Sequence, residues 1–131
     1  MSGFRSGPPF TTTLEVLSTE ALRSRLKSAM SVTEDVYVNA GVDEAKYLAD
    51  LAADIQRNLC EPFPVSARVA EPGFPEAPVG QEISGICLAC REGYWLVYQP
   101  EPDRFLCFWG ADKKNLSAPG IYGSPLYCWS A

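Results

Sequence analysis

Two stretches in the C-terminal half, Tyr94-Trp95-Leu96-Val97-Tyr98 and Phe105-Leu106-Cys107-Phe108-Trp109, have the composition of strands but no wet side. Strand side chains point alternately to the two faces of a sheet. A sheet with one face in water alternates apolar and polar residues, and these stretches do not. Tyr94, Leu96 and Tyr98 share one face while Trp95 and Val97 share the other. Phe105, Cys107 and Trp109 likewise oppose Leu106 and Phe108. In the preceding stretch, regular alternation sets Ile86, Leu88 and Cys90 against Ile83, Cys87 and Ala89. Such a sheet must be covered on both sides.

Pro100-Glu101-Pro102-Asp103 is a turn cluster, so Tyr94–Gln99 and Arg104–Trp109 form a hairpin. Ile83–Arg91 is a strand before it, and Val65–Ala70 a shorter one. Ala111–Gly120 is a polar loop, and Ile121–Trp129 is a last strand, bent at Gly123-Ser124-Pro125. Between Glu71 and Gly80, Pro72, Pro75 and Pro78 fall at every third position. That spacing predicts an extended polyproline path carrying the chain to the sheet.

Two helices precede the strands. Ser18 is placed to cap the first, with Glu20 in its first turn and Leu22, Leu26 and Met30 along one stripe. In the second, Leu48, Leu51, Ala52, Ile55 and Leu59 recur at three and four. Asp43 and Glu44 sit at its start, Pro62 stops it, and Asn39-Ala40-Gly41 leaves open an earlier beginning near Thr33. The fold class is α+β: two N-terminal helices, then an antiparallel sheet of about four to five strands, apolar on both faces. The 131 residues fit one domain, 14–131, behind a flexible lead, 1–13. The helices cover one face. The lead with Phe4 and Phe10, the proline-rich crossing with Phe74, the first helix or another chain covers the second.

The formal net charge of −5 disfavours nucleic acid and anionic lipid as partners. Met1–Phe10 lacks the apolar run of an export signal, and no stretch is apolar enough to span a bilayer. With five cysteines, an odd number, the expectation is reduced thiols in the cytoplasm. Histidine is absent, which removes the usual general base and the commonest metal ligand.

Cys87-Leu88-Ala89-Cys90 has the spacing of zinc knuckles and thiol redox motifs. In a regular strand, residues three apart face opposite ways, so the two thiols are expected not to meet. They are read as small core residues; a four-cysteine site drawing on Cys60, Cys107 or Cys128 is the alternative. Accordingly no catalytic residue, metal or cofactor is assigned. Asp43, Asp50 and Asp54 lie along one helix face, either solvated or as an acidic strip for a basic partner. Trp95, Trp109, Trp129, Tyr94 and Tyr98 are the aromatic candidates for a contact patch, because Trp and Tyr are enriched at interface hot spots.

The short acidic plan, helices first and then the hairpin Tyr94–Tyr98 into Phe105–Gly110, resembles small acidic bacterial toxin-immunity proteins. The resemblance covers the general layout and carries no diagnostic motif. It implies a non-enzymatic protein-binding module that neutralises a protein partner, such as a basic toxin, or pairs with a second copy. The alternatives are a small-molecule-binding domain or enzyme subunit with a pocket between sheet and second helix, and a cysteine-dependent enzyme with a low-pKa thiol near a cation such as Arg91 or Arg104.

Overall fold

The computed structural model describes residues 18–131; the expected lead, 1–13, lies outside them. Helix α1 spans Thr19–Ala29 and α2 Glu44–Arg57. Ser18 caps α1 by accepting from the Ala21 amide, and Asp43 caps α2 by accepting from the Lys46 amide. Leu22, Leu26 and Ala29 bury the inner stripe of α1, and Ile55 is the most buried residue of α2. Six strands follow: β1 (Leu59–Val69), β2 (Glu82–Arg91), β3 (Tyr94–Gln99), β4 (Arg104–Trp109), β5 (Ser117–Ala118) and β6 (Tyr122–Gly123). A third helix, α3 (Pro125–Ser130), ends the chain. The class is α+β, and the strands form one mixed sheet.

The covering of the second face comes mainly from the sheet itself, with Phe74 and Ala77 of the proline-rich crossing adding to it as expected for that segment. Strands pair in the order β3-β2-β1-β5-β4, and β4 pairs again with β3. The five pairings close a ring, a small barrel. Only β1–β5 is parallel. Val65, Ala67, Val69, Ile83, Cys87, Val97, Leu106 and Phe108 fill the inside, with Phe74, Ala77, Leu116 and Ala118. Ile86, Leu88, Leu96, Tyr98, Phe105 and Cys107 face out, under α1, α2 and α3. The alternation expected for β3 and β4 holds residue by residue.

Several expectations are corrected. Helix α2 stops at Arg57, so Leu59 opens β1 and does not extend the helical stripe. Asn58 closes the helix a turn early: its Nδ2 donates to the Asp54 carbonyl at 2.7 Å. Pro62 and Pro64 then lie inside β1, where β5 pairs only at Arg68 and Val69, so prolines meet a one-sided strand. The segment rich in prolines is a folded return. Phe74 and Ala77 exchange backbone hydrogen bonds at 3.2 and 3.3 Å, and β2 comes back antiparallel to β1. The expected polar loop 111–120 contributes buried Leu116 and Ala118 and supplies β5, which closes the ring.

The expected last strand is a two-residue strand and then a helix. The Ser124 hydroxyl accepts from the Tyr127 amide at 3.1 Å, and Pro125 occupies a first-turn position where no amide donor is needed. Asp35 holds this cap in place, accepting from the Ser124 amide at 2.9 Å and its hydroxyl at 2.7 Å. No helix among the described residues is long and apolar enough to cross a membrane.

Candidate thiol site

Three of the five cysteines meet. The sulfur atoms of Cys60, Cys87 and Cys90 lie within 4.8 Å of one another, and Cys60 Sγ is 3.9 Å from Cys87 Sγ. Two irregularities in the pairing bring them there. Between β2 and β3, Cys87 pairs with Val97 and Ala89 with Leu96, so β2 carries one extra residue. This bulge inverts the face of everything after it. Leu88 and Ala89 both face the helices, while Cys87 and Cys90 both belong to the barrel interior. The expectation that the two thiols of Cys87-x-x-Cys90 point apart therefore fails. The second irregularity lies in β1, between Leu59 and Phe63, where the ladder against β2 breaks. It carries Cys60 toward the same cluster, on the interior side.

The three thiols differ in environment. Cys87 is fully buried, whereas Cys60 and Cys90 are half-buried. The Cys60 thiol is lowered to about 7, chiefly by its hydrogen bond with Cys87, against the opposing effect of burial. Cys90 and the charge of Arg23 act in the same direction. Cys87 is pushed strongly up by its hydrogen bond with Cys60 and by burial. Cys90 is raised, first by burial and then by the Cys60 charge. Arg23, on α1, donates from Nη2 to the Cys60 carbonyl at 3.2 Å. The cation beside the Cys60 thiol is thus Arg23, in place of the Arg91 or Arg104 considered from the sequence. Cys107 and Cys128 lie on the helix side of the sheet, and burial raises both, Cys107 to about 11. They take no part in the cluster.

Comparison with family models, curated proteins and solved structures finds no match to this chain. The site is therefore read from its own chemistry.

The aromatic and acidic candidates do not form one patch. Trp129 is 1 % exposed and donates from Nε1 to Asp54 at 2.7 Å. Arg91 pairs with Asp54 at 2.7 Å and lies over the rings of Tyr94 and Trp129 at 4.9 and 4.8 Å. Trp109, 39 % exposed, packs beside Tyr94 with ring centroids 6.4 Å apart. Asp54, Tyr94 and Trp129 thus gather around Arg91, with Trp109 reached through Tyr94. The Asp54 carboxyl is held below its usual range, mainly by the Trp129 hydrogen bond and further by Arg91 and Arg57. Trp95 is on the opposite face of β3, edge-on to Phe63, with Nε1 donating to the Gly110 carbonyl at 2.8 Å. Tyr98 is buried at the other end of β3 and donates to Asp103. Asp43 is spent on its helix cap, and exposed Asp50 pairs with Lys46 at 2.9 Å.

Arg23 is the site residue that sequence reasoning missed; Cys60 entered it only through the four-cysteine alternative, whose Cys107 and Cys128 take no part in the cluster. The Cys-x-x-Cys spacing was the available signal; regular strand parity argued it away.

Proposed function

We propose that the chain acts through reversible thiol oxidation, with Cys60 as the attacking sulfur and Cys87 as its resolving partner. The observation that carries this is the 3.9 Å contact between a half-buried and a fully buried thiol. With hydrogen peroxide as oxidant, the Cys60 thiolate attacks one peroxide oxygen. An S–O bond forms, the O–O bond breaks, and the leaving hydroxide takes a proton to become water. The Cys87 sulfur then attacks the sulfenic sulfur. An S–S bond forms, the S–OH bond breaks, and the hydroxide leaves as water with the Cys87 proton. Two thiols and one peroxide give one disulfide and two waters. The sulfurs must approach to the bond length of about 2.05 Å, a shift of a little under 2 Å.

Peroxide treatment of the reduced protein should remove the mass of two hydrogens, with peptide mapping joining Cys60 to Cys87. With both neighbouring thiols removed, the Cys87→Ser, Cys90→Ser double variant should instead leave a sulfenic acid on Cys60 that a dimedone probe captures. A wild-type protein whose Cys60 stays reduced while free cysteine is oxidised would discard this reading.

A second reading, the partner-blocking role suggested by the resemblance to immunity proteins, is favoured by Trp109, a large aromatic left 39 % exposed beside Tyr94. Native mass spectrometry of protein purified from its own host is expected to show a second, different chain that is lost in Trp109→Ala. A bare wild-type monomer removes this reading.

A further inference from the structure

We propose that Cys60, Cys87 and Cys90 together hold one thiophilic metal ion, of which zinc is the best fit, through three sulfur ligands. This goes beyond the disulfide chemistry, which uses two of the sulfurs and leaves Cys90 without a role.

The distances suit a metal. A zinc–sulfur bond is about 2.3 Å long, which places sulfurs on a tetrahedral ion about 3.8 Å apart. Cys60 and Cys87 already stand at 3.9 Å, and all three sulfurs lie within 4.8 Å. Closing the set onto an ion asks for at most about 1 Å more between the remaining pairs. Two separate pairing faults produce the arrangement, one on β1 and one in the β2–β3 ladder. A core that needed only three small apolar residues would require neither. Bulges recur beside functional sites because they re-aim side chains, and here both aim sulfur at one point.

The donor set selects the ion. Three thiolates and no imidazole form a soft set, which favours zinc, cadmium or copper(I) over magnesium or calcium. Three thiolates on a divalent ion leave one net negative charge. Arg23, bonded to the Cys60 carbonyl and otherwise in only a long, exposed pairing with Glu61 at 3.8 Å, is the nearby cation that offsets it. The Arg23 Nε is buried with no hydrogen-bond partner among the described residues. That unspent donor beside the cluster fits an additional negative charge at the site. Three protein sulfurs leave one tetrahedral position for a water or an outside donor, and two of the three ligand residues, Cys60 and Cys90, are only half-buried.

The test uses the reduced full chain, stripped with a chelator and titrated with cobalt(II). One equivalent should produce thiolate-to-cobalt charge-transfer absorption and the visible bands of a tetrahedral ion, and zinc should displace it. Zinc should also protect Cys60, Cys87 and Cys90 of the wild-type protein from alkylation in parallel. Cys90→Ser changes a half-buried residue, and circular dichroism checks that it folds. It should weaken metal binding by more than the roughly 10–100-fold that losing an outer partner of a ligand costs, yet still form the Cys60–Cys87 disulfide. The inference is overturned if the wild-type protein gives no charge-transfer band, if zinc protects none of the three thiols, or if a folded Cys90→Ser binds as tightly. If metal binding fails while the disulfide forms, the redox reading stands alone; if cobalt binds while peroxide gives no disulfide, the reverse holds.

Discussion

Trp129→Ala is expected to lower the unfolding free energy by about 3–5 kcal/mol, the range for removing a large buried aromatic. Trp129 is the largest fully buried side chain, at 1 % exposure, and it docks the short helix α3 onto the sheet. Helix α3 has six residues, too few to hold itself together in water. Its stability therefore comes from what it packs against. The substitution also takes a donor from Asp54 and one of the two rings from under Arg91. Trp129→Phe separates these effects. It keeps most of the apolar volume and removes the hydrogen bond to a charged group, worth about 1.5–3 kcal/mol. Urea unfolding followed by circular dichroism measures both. A cost under about 1 kcal/mol for Trp129→Ala would mean that α3 is not docked as described.

Gly120→Ala is the second large effect. Gly120 has a φ of +100°, a region where a side chain is strained, and an added Cβ would stand 2.1 Å from the Gly73 carbonyl oxygen. Backbone strain and overpacking each cost about 1–3 kcal/mol, so a loss of about 2–6 kcal/mol is expected. The clashing atom is backbone, so it cannot swing aside as a flexible side chain would. Gly73 and Gly120 are where the 70–81 return meets the segment after β5, which makes this contact part of barrel closure. Gly80→Ala is the control. Its φ of +97° gives the same strain, but nothing lies within 4 Å of the added carbon. Gly80→Ala should therefore cost clearly less in the same urea titration. Equal losses would show that the approach of Gly73 to Gly120 is not tight.

Local patterns in the sequence were legible where one physical rule acted alone. The hairpin of β3 and β4 followed from two apolar, aromatic runs on either side of a Pro-Asp turn, the cap of α1 from Ser18, and one of two possible starts of α2 from Asp43 and Glu44. The demand for cover on both faces was also legible, and so was the part that Phe74 supplies, but closure of the sheet on itself was not. Closure depends on β5, two residues inside a stretch of polar composition, and on a parallel pairing between residues about fifty apart in sequence. No local periodicity signals such a contact. At the chain end, Gly123-Ser124-Pro125 was seen as a bend when its Ser-Pro is a helix start. Leu126, Cys128 and Trp129 are apolar enough for either state, and the cap decided between them.

The thiol site was hidden for a related reason. The rule that residues three apart face opposite ways is sound for a regular strand, and one extra residue at Leu88–Ala89 reverses it. Bulges leave little trace in composition, so the Cys-x-x-Cys spacing was visible while its meaning was not. Likewise, the acidic residues looked equivalent along α2. Only packing made Asp54 a hub for Trp129, Arg91, Arg57 and Asn58, while Asp50 stayed at the surface with Lys46.

Ring closure also decides how the chain behaves in a crowd of its own copies. A sheet edge with free amides and carbonyls is a template on which another strand can add, and repeated addition ends in aggregation. Here β2, β3 and β4 have partners on both sides. Among the described residues, the long one-sided stretch is β1 before Arg68, and it contains Pro62 and Pro64. Neither can offer an amide to an incoming strand, and Pro62 lies where the ladder is already broken. The two prolines thus guard the one long opening in the ring, next to the strand end that carries Cys60.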